Sequence, residues 1–131
     1  LLTGNLKTLK VIKGGVQLTA NPYDKAHELA RAIIGSQIFQ DYSKAQKIVQ
    51  QDPETQKKIL AFRNNQMEIN RRQIAGEVIS PNDISEITLE FAKLNKSEDI
   101  NRFFEAEAAF ISLFNDIQEI IRKSIDQEFS G

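Results

Sequence analysis

SEDINRFFEAEAAFISLFNDIQEIIRKSIDQEF, Ser97 to Phe129, runs without glycine or proline, and the next glycine is Gly131. Written as a heptad from Ile100, its first position holds Ile100, Glu107, Phe114 and Ile121, its fourth Phe103, Phe110 and Ile117, and its fifth Phe104, Ile111 and Ile125. This spacing predicts one long amphipathic helix. About 30 residues at about 1.5 Å each span roughly 45 Å. A compact globule of this length measures only about 36 Å across, from a radius of gyration near 14 Å. A helix that outruns its globule needs a partner, most simply a second copy, so Phe103, Phe110, Phe114, Ile117 and Ile121 are read as the core and dimer seam.

The rest of the chain is also written in helical grammar. Asn21-Pro22-Tyr23-Asp24, Asp52-Pro53-Glu54 and Ser80-Pro81-Asn82-Asp83 each place a capping side chain before a proline at the first helical position, and use all three prolines. Each proline sits where its missing N–H costs nothing. Ser97 before Glu98 and Asp99 is a fourth cap, its acids at the positive end of the helix dipole. Helix one is expected to end near Gly35-Ser36, helix three at Gly76, and helix four, with Ile84, Ile87, Phe91 and Leu94, at Asn95. The link Glu77-Val78-Ile79 is apolar enough to pack inward. The predicted class is all-α: about five helices, including the long C-terminal one, in a bundle or hairpin that dimerises.

The first seventeen residues differ. Leu6 to Leu18 alternates weakly around Gly14-Gly15, a poor hairpin signal. Lys13-Gly14-Gly15-Val16 can be encoded by AAAGGAGGT, a strong ribosome-binding sequence, and Leu18 lies where a TTG start codon would follow. Residues 1–17 are therefore expected to be a translated leader, with a genuine N-terminal arm as the alternative, and residues 18–131 a single helical domain.

At 40% hydrophobic and 27% charged, 131 residues suit one soluble domain with a real core. The absence of cysteine excludes disulfides and thiolate metal or iron–sulfur sites. No apolar run reaches the roughly 18 residues a membrane span needs and no secretory signal opens the chain, which places it by default in the cytoplasm, away from membranes. A formal charge of −1 argues against a general nucleic-acid binder. Between Pro53 and Gln73, Lys57, Lys58, Arg63, Arg71 and Arg72 outweigh Glu54 and Glu68; between Glu77 and Glu107, eight acids outweigh Lys93, Lys96 and Arg102. Two antiparallel helices with complementary flanks account for this, and an electrostatic docking surface for a partner is the sharper reading.

Catalytic chemistry has little to stand on. His27, the single histidine, lies three residues after Asp24, but no nucleophile or ligand cluster completes a site, so it reads as a surface or interface residue. Gly14-Gly15 lacks the pattern of a phosphate loop. Tyrosines and phenylalanines fall at core spacing, not on an RNA-stacking sheet. No catalytic, cofactor-binding or metal-ligating residue is expected, and no cofactor. The anomaly is Glu107, a carboxylate in a row of Ile and Phe that must be neutralised or paired. Arg63 flanks the stripe of Leu60 and Met67 and is the favoured partner in a structural ion pair. A half-exposed seam residue and a catalytic or metal-binding carboxylate are the alternatives.

Asn21 to Ile33, then Phe62-Arg63 with Gln66, Ala75-Gly76-Glu77 and Glu105-Ala106-Glu107 together resemble the YlbF/YheA family of small helical proteins from Gram-positive bacteria, most of all its YheA-like branch. The likeness spans about residues 20–128 in the same order. It implies an all-helical homodimer without catalytic residues. It also implies a regulator or adaptor acting through protein contacts, since YlbF and YmcA relatives regulate competence, sporulation and biofilm formation by assisting the endoribonuclease that matures mRNA. Their complex carries iron–sulfur clusters on cysteines, which this chain cannot hold. Three readings stand: a non-enzymatic adaptor with a protein partner, an accessory factor for mRNA processing, and an enzyme or small-ligand carrier using a dimer-interface cleft.

Overall fold

The computed structural model describes residues 21–130. Their regular structure is α-helix: α1 (Pro22–Ile34), α2 (Gln37–Gln50), α3 (Pro53–Ile74), α4 (Pro81–Leu94) and α5 (Glu98–Ser130). The leader or arm expected at residues 1–17 lies outside the described residues. The chain divides at Ser36 into two compact units.

The described part of the first unit is α1. Asn21 Oδ1 accepts the Tyr23 N–H at 2.8 Å, Pro22 opens the helix, and Asp24 and Arg31 sit at the dipole ends they suit. The Gly35 N–H closes it on the Arg31 carbonyl at 2.9 Å. His27 is exposed on this helix.

In the second unit α5 is the spine. α2 packs along its N-terminal half and α3 packs against both α2 and α4. One core joins all four helices: Ala45 and Val49 of α2, Ile59 and Phe62 of α3, Leu94 of α4, Ile100 and Phe103 of α5. Rings extend it. Tyr42 stacks on Phe110 and Phe103 at 5.2 and 5.9 Å between centroids, and Phe104 meets Phe91 at 5.7 Å and Phe62 at 6.1 Å. Such pairs add about 0.5–1.5 kcal/mol beyond their burial.

α3 and α4 are antiparallel, since Phe62 meets Phe91, Asn65 meets Glu90 and Arg72 meets Asp83. The turn between them is chemically specified. The Glu77 N–H reaches the Arg72 carbonyl at 2.9 Å and the Gly76 N–H the Gln73 carbonyl at 3.1 Å, with Gly76 at φ 80°. This is a Schellman closure. Ser80 Oγ then accepts the Asp83 N–H while Asp83 Oδ2 accepts the Ser80 N–H, a capping box. These bonds hold the Asp83 carboxyl below its ordinary range, the Ser80 hydroxyl first, with Arg72 assisting. The expectation that the whole link packs inward is corrected here: Val78 is 86% exposed and Ile79 half-buried. With the turn closed on Arg72 and Ser80 capping α4, the link between is too short to fold both side chains under.

Gly76 is the position where side-chain sterics and the observed φ conflict. Gly76→Ala should destabilise the fold by about 1–2 kcal/mol, the cost of a left-handed L-residue, read as a lower urea midpoint at unchanged slope.

Candidate functional site

Glu107 of α5 sits where α2, α3 and α5 converge, its side chain 18% exposed. Both carboxylate oxygens lie 2.7 Å from Arg63 Nη2 of α3. The Tyr42 hydroxyl of α2 adds a longer bond to Oε2 at 3.3 Å. The Arg63 guanidinium also stands over the Phe103 ring, 5.5 Å from its centroid. The structure thus brings together the two residues singled out by sequence and adds a third. Tyr42 was hidden in the sequence because its ring follows the apolar stripe of α2; a buried tyrosine wants a partner for its hydroxyl, which was the available signal. Burial, then the neighbouring Glu107 charge, pushes the Tyr42 phenol above its usual range.

The five seam residues divide. Phe103 is buried in the core, Phe110 is half-buried against Tyr42 and Phe39, and Ile117 is half-buried. Phe114 and Ile121 are nearly half exposed, as are Ile111 and Ile125 on the same side. Arg122 meanwhile pairs with Glu119 and Asp126, so the distal helix keeps its charges together while an apolar row stays open.

Arg71 and Arg72 cannot serve as unengaged docking charges. Arg71 binds Glu68 at 2.7 Å and approaches Glu77, and Arg72 binds Glu77 at 3.4 Å and Asp83 at 3.3 Å. The charge asymmetry between α3 and α4 is in this part spent within the chain. Arg71 holds the Glu68 carboxyl below its ordinary range, chiefly through their hydrogen bond.

A cleft of about 470 Å³ opens between α2 and α5 where Ala45, Ala106 and Ala109 leave room, with Ile38 and Ile48 beside them. Its charged residues, Asp41, Lys44, Asp99, Arg102 and Glu105, are all exposed. Among the described residues no group of three His, Asp or Glu is placed to hold a metal, and no helix is long and apolar enough to cross a membrane.

The family described as "Control of competence regulator ComK, YlbF/YmcA" matches residues 23–126. The UPF0342 protein of Alkalihalophilus pseudofirmus is 30% identical over 112 residues, covering 86% of this chain and 95% of that protein. That of Staphylococcus epidermidis is 27% identical over 113 residues, 86% of this chain and 99% of its own length. Two solved structures share the fold. One, described as a protein of unknown function (DUF964) from Bacillus stearothermophilus, has a TM-score of 0.71 at 23% identity, over 80% of this chain and 92% of that one. The other, a chain from the Bacillus subtilis RicA–RicF complex, has a TM-score of 0.54 at 18% identity, over 82% of this chain and 95% of that one.

Glu107→Ala and Arg63→Ala should each destabilise by about 1–3 kcal/mol, with Arg63 nearer the low end because solvent screens it. The double mutant should fall short of the sum in denaturant titration; additive losses would show that the pair does not communicate. The raised Tyr42 phenol works in the alkaline direction. Its contribution is complete below the ordinary value of 10.0 and is lost as pH rises through the higher folded value. Tyr42→Phe should therefore flatten the fall in stability above about pH 10.

Proposed function

The chain belongs to the YlbF/YmcA family, and from that membership we propose that it is a non-enzymatic cytoplasmic regulator or adaptor, working through protein contacts as a homodimer. The observation that carries this reading is the open apolar row of α5, from Ile111 through Phe114 and Ile121 to Ile125. On a 33-residue helix about 50 Å long, a row of that kind is covered by another polypeptide. The RicA–RicF complex supports the reading, since a chain that shares this fold is there in complex with another protein. The family's description supports a regulatory role, and an accessory part in mRNA processing is the form of it that the resemblance suggests. That part would run without the cysteine-held cluster. The α2–α5 cleft gives less support to a small-ligand carrier, because its charged side chains all face solvent and none is buried to orient a ligand.

Light scattering at low micromolar concentration should give twice the 14.9 kDa chain mass. Phe114→Glu should return the protein to one chain that keeps its core helices and loses helicity only in distal α5, because Phe114 is open to solvent, whereas Phe110→Glu should unfold it. Tagged protein drawn from its native host should keep a stoichiometric protein partner after ribonuclease treatment. A partner lost with the RNA, or a substrate turned over and abolished by one substitution, would overturn the adaptor reading.

A further inference from the structure

α3 carries a second apolar row that the described residues leave exposed. Leu60, Met67 and Ile74 stand seven residues apart and are 59%, 66% and 80% exposed. Seven residues make nearly two helical turns, so the three side chains share one face over about 21 Å. The core side of the same helix is the separate face of Ile59 and Phe62. α3 meets α5 through Phe62–Phe104 and Arg63–Glu107, while Leu60, Met67 and Ile74 of α3 and Ile111, Phe114 and Ile121 of α5 are exposed.

We infer that a second copy of the chain covers this α3 row with its own, the two α3 helices running antiparallel and Met67 lying beside the two-fold axis. The inference rests on the homodimer reading and adds the surface that makes the dimer. Three observations favour a second copy over an unlike helix. First, a two-fold interface must be self-complementary, and this row is: with Met67 at the axis, Leu60 lies opposite Ile74 of the second copy and Asn64 opposite Asn70.

Second, the charges permit it although α3 is basic. Arg63 is bound to Glu107, Arg71 to Glu68 and Glu77, and Arg72 to Glu77 and Asp83. Two basic helices can then approach with their guanidinium groups already neutralised.

Third, the area fits. With ~150–250 Å² for a whole aromatic side chain and less for an aliphatic one, Leu60, Met67 and Ile74, 59–80% exposed, together with Ile111, Phe114 and Ile121 of α5, 45–50% exposed, offer at most on the order of 600 Å². A stable interface needs about 800 Å² per partner including its polar rim. The α5 row alone supplies about half the apolar part.

The native chain has no cysteine, so single cysteines report position cleanly. The full-length Met67→Cys protein, treated with a short bifunctional maleimide, should give a covalent dimer in high yield. Lys58→Cys serves as control, since nine residues place it two and a half turns away on the opposite side of α3. It should give at least tenfold less. Leu60→Cys and Ile74→Cys should each cross-link poorly alone and well when mixed, and adding Phe114→Glu to Met67→Cys should abolish the product. If light scattering finds a dimer while Met67→Cys links no better than Lys58→Cys, this inference falls and the homodimer stands. If the chain is monomeric, both fall.

Discussion

A carboxylate standing in a row of isoleucine and phenylalanine is the constraint on which the second unit turns. Glu107 cannot be withdrawn from water without a cation and donors to replace it. The structure gives it Arg63 at 2.7 Å from both oxygens and the Tyr42 hydroxyl at 3.3 Å. Each partner comes from a different helix, so the pair has one acceptable arrangement of α2, α3 and α5. A slide of α3 by one turn would move Arg63 about 5.4 Å away and strand the charge. A half-buried ion pair is weak grounds for claiming stability and better grounds for claiming register. The cation–π contact of Arg63 with Phe103 points the same way, because it binds the guanidinium to the core as well as to the acid.

Around that point the packing is aromatic and thin. Among the described residues seven are buried, and the rings of Phe39, Tyr42, Phe62, Phe91, Phe103, Phe104 and Phe110 link them. Full burial of one large apolar side chain yields roughly 1.5–3 kcal/mol, so a core this small leaves much of the available apolar surface unused. Part of what remains is ordered into two rows, Leu60, Met67 and Ile74 on α3 and Ile111, Phe114, Ile121 and Ile125 on distal α5. Exposed single hydrophobics need no explanation, but aligned rows of them on adjacent helices do.

The helices were legible in the sequence because their ends are written in capping chemistry that acts locally. Asn21, Asp52 and Ser80 each accept a backbone N–H within three residues, whatever the rest of the chain does. Gly76 was legible for the same reason. Glu107 stood out because a charge breaks an apolar period; Arg63 was reached through the stripe of Leu60 and Met67, which the structure leaves exposed, whereas the α3 core face is that of Ile59 and Phe62. What could not be read was tertiary. Whether Val78 points in or out depends on how tightly two helix ends are tied. Whether Phe110 or Phe114 ends the core depends on where α2 begins, which no heptad records. The charge asymmetry left two readings open for a related reason. The one the structure shows is complementary flanks on antiparallel helices, but counting bases on α3 could not reveal that Arg71 and Arg72 have acids within 4 Å.

The length of α5 ties folding to assembly. Its partner within the unit, α2, has 14 residues against its 33, so at about 1.5 Å per residue roughly 29 Å of α5 extends beyond what α2 can flank. A helix turn without tertiary contacts is marginal in water, since most helical stability comes from packing an apolar face. The distal half is rich in ion pairs such as Arg122 with Asp126, but exposed i,i+4 pairs give only about 0.3–0.5 kcal/mol each. Its persistence as helix therefore depends on what covers Phe114, Ile121 and Ile125. If another copy does so, whatever holds the assembled state holds the helix, and stability grows with concentration by mass action. A protein assembled through that row would have its contact surface and its folding equilibrium in one element, so a partner that competes for the row would also change how much of the protein is fully folded.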